Sequence, residues 1–265
     1  MGRSRRRKKG QQPAGQESSG EGPAQQGLYD PRYEHDACGT GFVAHVKGWR
    51  SHAIVADALT VLENLSHRGA RGAEPNTGDG AGILTQLPHA FFTAEAARLG
   101  IALPPPGDYG VGMLFLPRDA ARRAACEAEF AALVAAAGQT LLGWRDVPTD
   151  NRELGATAVA SEPVMRQVFI GHGSGLTDTG DGLAFERKLF VIRRLAENYI
   201  DGDSDGADVF YVASLSCRTI VYKGMLLAEQ LRPYFPDLAD PLFDSAIALV
   251  HSRFSTNTFP AWKRA

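Results

Sequence analysis

The chain has 265 residues, with 28 Lys and Arg against 30 Asp and Glu, for a net charge of −2 at neutral pH. That length allows one large domain or two small ones with ample core, and the near-zero charge removes any global case for a nucleic-acid or membrane partner. No apolar run is long enough to span a bilayer. The three cysteines, Cys38, Cys126 and Cys217, form neither a Cys-x-x-Cys pair nor an even framework, which points to a reducing, cytoplasmic compartment and no metal cluster.

Arg3, Arg5, Arg6, Arg7, Lys8 and Lys9 crowd the N-terminus and a Gly/Gln/Ser/Pro stretch follows to about Gln26. Residues 1–27 lack the apolar side chains that offset ordering entropy and are predicted to be a disordered, solvated leader. An RNA-binding arm or a transit peptide is the alternative reading of the same charges. Residues 28–37 complete the segment ahead of Cys38, and 38–265 are predicted to be the folded domain.

Gly41–Val46 reads as a strand, and Ser51 as the N-cap of a helix with Ile54, Val55, Ala58, Leu59, Leu62 and Leu65 on one face. His67–Gly82 is a long glycine-rich loop, and long ordered loops are more often functional. Ile83–Leu87 is a strand, His89–Leu99 a helix, and Pro104-Pro105-Pro106 an extended break. Then come a strand at Val111–Leu116, an alanine-rich helix over Asp119–Ala137, strands at Thr140–Val147 and Val164–Ile170, and a helix at Phe185–Tyr199. Val209–Leu215 and Thr219–Tyr222 are predicted to form a hairpin, and Ile247–Phe254 a last strand. Locally paired strands with covering helices imply an α+β domain.

Two motifs carry no chemistry. Asp201–Gly206 resembles the start of a calcium loop, but Val212 stands where the bidentate glutamate belongs, so a solvated acidic turn is the reading. Gly171-His172-Gly173-Ser174-Gly175 fits neither a dinucleotide nor a hydrolase signature and is a loop. Three places do carry chemistry. Cys38 leads directly into a strand. By position alone it is better explained as a small buried hydrophobe; freed by cleavage after Ala37, it would combine a thiol with an α-amine that titrates near pH ~8 and can take the thiol proton. The loop His67-Arg68-Gly69-Ala70 with Thr77-Gly78-Asp79-Gly80-Ala81-Gly82 lets the backbone approach a neighbour closely and suits a pocket wall. In His251-Ser252-Arg253-Phe254-Ser255-Thr256, Arg253 offers a planar fork for a carboxylate and Thr256 a short hydroxyl.

Taken in order, Tyr33–Ala44, the His67–Ile83 loop, Val111–Leu116, Gly143–Pro148, Phe210–Ser216 and His251–Pro260 resemble the class II, N-terminal nucleophile glutamine amidotransferase domain of the glutamate synthase large subunit. The resemblance implies a four-layer αββα fold with Cys38 as mature N-terminus and nucleophile. It implies L-glutamine as substrate, with Arg253 on its α-carboxylate and Thr256 as a nearby contact. The ammonia released would pass to downstream synthase domains carrying FMN and an iron–sulfur cluster and be added to 2-oxoglutarate, with a small reductase subunit as a further partner. The family's oxyanion hole, an Asn-Gly pair, and a substrate-binding Asp lie farther along than Ala265. Losing one oxyanion donor costs ~100- to 1,000-fold in rate, so the isolated chain is expected to be inactive as a glutaminase. The amidotransferase domain of another class II enzyme and a non-enzymatic fragment are the rival readings.

Overall fold

A computed structural model of the chain describes residues 39–69, 74–174, 183–200, 209–253 and 260–264. The predicted leader, Cys38, the acidic turn at Asp201–Gly206 and Thr256 lie outside the described residues. Eight strands are described and fall into two sheets. The first has the order β1 (Gly39–Ala44), β8 (Ile247–Ser252), β2 (Ala81–Gln86), β7 (Thr219–Gly224); the second has the order β4 (Thr140–Asp146), β5 (Val164–Gly171), β3 (Tyr109–Leu116), β6 (Tyr211–Ser216). All the ladders are antiparallel.

Helix α1 (His52–Asn64) buries Ile54, Val55, Ala58, Leu59 and Leu62 of the predicted stripe and packs on β1 and β8, while Leu65, the last predicted member, is the C-cap and only half-buried. Ser51 stands at its N-cap, but its side chain caps nothing. Its backbone is instead tied to Ser245 in both directions, at 3.0 and 3.2 Å, so the helix start is fixed by the sheet. Helix α2 (His89–Arg98) adds Phe91 and Phe92 to the same core. That core also takes Ile83, Tyr222 and Val250 from the first sheet and Val111, Met113 and Phe115 from the second. The opposite face of the second sheet carries Leu114, Leu116, Val168, Ile170 and Val212, which pack with α3 (Ala120–Ala136) and α5 (Ala184–Tyr199). Strand β3 supplies both cores and is buried along its whole length.

The predicted hairpin at Val209–Tyr222 is corrected. Strand β6 pairs with β3 and β7 with β2, so the chain crosses from one sheet to the other. Side-chain hydroxyls explain the divergence. Ser216 Oγ accepts from the N–H groups of Arg218 and Thr219, and Ser214 Oγ accepts from Val221 N–H. These donors need no cross-strand carbonyl, so the two strands can splay apart without leaving buried amides unpaired.

The remaining helices are short: α4 (Ala156–Ser161), α6 (Leu231–Tyr234), and 3₁₀ turns at Ser66–Arg68, Ala228–Gln230 and Pro236–Ala239. Among the described residues, no helix is long and apolar enough to cross a membrane.

Candidate active site

The described residues that adjoin the predicted site positions meet at one end of the first sheet. Register sets this out directly: Ser252, at the end of β8, pairs with Gly39 on one side and with Ala81 on the other. Gly39 follows Cys38 in the chain, Arg253 follows Ser252, and Asp79 and Gly80 precede Ala81. Three segments far apart in sequence therefore end side by side.

Arg253 leaves the strand with φ 69°, the one non-glycine with positive φ among the described residues. A bulky side chain enters this left-handed region only when its surroundings hold it there. Here its N–H donates to Gly80 O at 2.7 Å. Its guanidinium Nε lies 3.9 Å from Asp79 Oδ2, and both side chains are 15% exposed. That separation is an ion pair, longer than a hydrogen bond. Burial pushes the Asp79 carboxyl above its ordinary range, and the Arg253 charge opposes the shift. Burial also lowers the pKa of His251.

The loop that presents Asp79 is built from within and pinned from both sides. Glu74 accepts from Thr77 Oγ1 at 2.9 Å and from Thr157 N and Oγ1 at 3.1 and 2.9 Å. These donors hold the Glu74 carboxyl below its ordinary pKa, the Thr157 backbone bond first among them. Asn76 O accepts from Gly155 N at 2.9 Å and from Gln230 Nε2 at 3.0 Å. Gly78 lies so close to the Leu226–Leu227 backbone that an added Cβ would fall 2.3 Å from Leu226 O. Gly80 turns into β2 with φ 128°, a conformation that favours glycine. The glycines of this loop thus serve close approach and a tight turn, as a pocket wall requires.

A cavity of about 270 Å³ opens here, lined by Ser66, His67, Gly69, Gly80, Leu227 and Ser252 among others. Its volume lies below that of ordinary drug-sized pockets and suits a single small metabolite. A larger cavity, about 450 Å³, lies at the far end of the same sheet, where Gln86, Thr219 and Ile247 line it with Arg50 and Tyr109. It contains none of the predicted pocket-wall residues, of which the smaller cavity takes His67, Gly69 and Gly80, and Arg253 lines neither cavity. Among the described residues, no group of three or more His, Cys, Asp or Glu could hold a metal ion.

Arg253 follows Ser252, which pairs with Gly39 at the start of β1, while Cys38 and Thr256 fall outside the described residues. Asp79 was legible only as part of a glycine-rich wall. The Gly-Asp-Gly triplet that directly precedes β2 is the signal that could have singled it out.

The described residues form a mixed domain of helices and antiparallel sheets, and the comparison with known families identifies it. The family described as glutamine amidotransferases class-II matches residues 38–265, and the chain belongs to it. Within the family it is similar to glutamate synthases. It is 52% identical, over 92% of its own length, to the NADPH glutamate synthase large chain of Bacillus subtilis. It is 42% identical over 92% of its length to the NADH glutamate synthase of Saccharomyces cerevisiae. It is 40% identical over 90% of its length to a chloroplastic ferredoxin-dependent glutamate synthase of Arabidopsis thaliana. The chain spans only 11% to 16% of these relatives' lengths.

Proposed function

We propose that this chain is the glutaminase portion of a glutamate synthase, with Cys38 as nucleophile. The observation that carries the reading is the register of β1 on β8: Gly39 lies opposite Ser252, so the residue after Cys38 faces the residue before Arg253. In the proposed reaction the leader, 1–27 with its continuation 28–37, is cut away after Ala37. The domain 38–265 then begins at Cys38, and its α-amine takes the thiol proton. The thiolate adds to the side-chain carbon of L-glutamine while Arg253 holds the α-carboxylate and Thr256 contacts the substrate nearby. The ammonium formed at the α-amine returns its proton to the leaving nitrogen, the C–N bond breaks, and ammonia departs from a γ-glutamyl thioester. Water then adds to the thioester as the α-amine takes one of its protons, the C–S bond breaks, that proton passes to the leaving thiolate to restore the thiol, and glutamic acid is released and loses the second proton to solvent.

The two sheets, with α1 and α2 on one core and α3 and α5 on the other, support a four-layer αββα arrangement. For the whole protein we propose glutamate synthesis from 2-oxoglutarate in the cytoplasm. FMN, an iron–sulfur cluster and a small reductase subunit then belong outside these residues.

The test is covalent labelling with a diazoketone analogue of L-glutamine, mapped by peptide mass spectrometry on chain cleaved after Ala37. One adduct is expected, on Cys38, suppressed by excess L-glutamine, absent in Cys38→Ser and strongly slowed in Arg253→Ala. Labelling spread over Cys126 and Cys217, or indifferent to L-glutamine, would remove the proposal.

A further inference from the structure

We infer that Asp79 is a positioning residue for substrate recognition: it orients the Arg253 guanidinium so that its fork meets the substrate's α-carboxylate. The inference rests on the function proposed above and assigns a part of that site for which the sequence offered no role.

The geometry is specific. Asp79 engages Arg253 from its Nε side, at 3.9 Å from Nε to Oδ2. A carboxylate is gripped bidentately by two parallel N–H groups, and a negative charge at one edge of the guanidinium, at ion-pair distance and without a hydrogen bond, biases the direction in which the remaining N–H groups point. An arginine side chain on its own has several rotatable bonds and loses much rotamer freedom when it is fixed. A partner that fixes it before substrate arrives removes that cost from binding. The same two segments are also joined through the backbone, because Arg253 N–H donates to Gly80 O, one residue on from Asp79, at 2.7 Å. The left-handed backbone at Arg253 and the carboxylate facing its side chain are thus set by a single short stretch, Asp79-Gly80.

That stretch is in turn the end of a loop anchored to Thr157, Gly155 and Gln230. Asp79 is therefore placed by groups that do not reach the cavity themselves. A carboxylate beside a pocket for an amino acid could instead bind the substrate's α-ammonium directly. The two roles make different demands: positioning acts only through the α-carboxylate, whereas a direct contact acts on any ligand bearing the amine.

The experiment compares rates of Cys38 labelling by two reagents, the diazoketone analogue of L-glutamine and its counterpart lacking the α-carboxylate but keeping the amine. Wild-type chain should favour the first, and Arg253→Ala should abolish that preference. Asp79→Asn, which keeps the shape and removes the charge, should lower the preference about tenfold by slowing only the carboxylate-bearing reagent, and Asp79→Glu should restore part of it. Equal slowing of both reagents, or an unchanged preference in both Asp79 variants, would overturn the assignment. If Arg253→Ala keeps the full preference, the function reading itself fails. If Arg253→Ala loses it and the Asp79 variants do not, only the present inference fails.

Discussion

Arg145 and Asp237, 92 residues apart in the chain, meet in the interior through two hydrogen bonds, Nη1 to Oδ2 at 2.7 Å and Nη2 to Oδ1 at 2.8 Å. Around this pair the protein closes a polar cluster. Arg145 also donates to Glu95 of α2 and to Gln167 of β5, while the Tyr222 hydroxyl of β7 donates to Asp237. Burial, the largest single influence, opposes the Arg145 charge, but Asp237 together with Tyr222 and Glu95 more than offsets it, so its pKa is raised. Removing one partner leaves the other charge buried. Asp237→Ala is expected to lose roughly 3–5 kcal/mol, measured by urea unfolding. A loss under about 1 kcal/mol would mean that Glu95 alone neutralises Arg145.

Lys223 gives a pH signature. Its Nζ donates to Tyr211 OH and to Lys263 O, each at 3.2 Å. Burial first, and the Arg193 charge second, lower its pKa from 10.5 to about 8. The folded state therefore releases this proton at lower pH than the unfolded chain does. Between pH 8 and 10.5 the unfolded state holds more protons, so this lysine makes stability rise with pH in that window. Below it both states are protonated and the penalty is constant. Lys223→Met should therefore gain on wild type near neutral pH, and the gain should shrink by about 3 kcal/mol as pH climbs through the window. Parallel stability–pH curves for the two proteins would show that the lysine is not desolvated.

The two described thiols, Cys126 and Cys217, should stay silent when Cys38 is labelled. Burial raises the Cys126 pKa. Cys217 is pushed up to about 12 by burial first and then by Glu186, whose carboxylate accepts from its thiol at 3.0 Å. The reactive species is the thiolate, so neither should react appreciably near neutral pH. Glu186→Gln removes the carboxylate's influence but leaves burial, the larger one, so Cys217 should become reactive at a lower pH than in wild type yet stay slow near neutral pH. Peptide mapping after brief iodoacetamide treatment measures both, and rapid wild-type modification of Cys217 would contradict the part-buried carboxylate contact.

Much of this architecture was legible where the signal is local. The α1 stripe from Ile54 to Leu62 and the start of α3 at Asp119, whose side chain accepts from Arg122 N, follow from periodicity and capping. What sequence could not supply was long-range partnership. Arg145 read only as part of a strand, because its partners Glu95, Gln167 and Asp237 come from three other segments. The Val209–Tyr222 pair read as a hairpin because nothing local says that Ser214 and Ser216 will satisfy the backbone donors. For the candidate site, the sequence singled out Arg253 by the chemistry of its fork. Its pairing with Asp79 was not legible, since it depends on β2 and β8 lying side by side.

The loop that carries Asp79 can be tested through Gly78. An added Cβ there would meet backbone atoms, Leu226 O at 2.3 Å, Leu226 C at 2.4 Å and Leu227 N at 2.6 Å, none of which can swing aside as a side chain end would. Gly78→Ala must therefore move the loop or the Leu226–Leu227 segment, at roughly 1–3 kcal/mol. Asp79 follows immediately, so the movement should misplace its carboxylate and slow Cys38 labelling by the glutamine analogue as well. Gly48 is the control, with φ 72° and nothing within 4 Å of an added Cβ. Gly48→Ala should cost about 1 kcal/mol from backbone strain alone and leave labelling unchanged. If Gly78→Ala is destabilised yet labels at the wild-type rate, the loop supports the fold without forming the site; if both the stability and the rate fall, the wall beside Arg253 is part of what recognises the substrate.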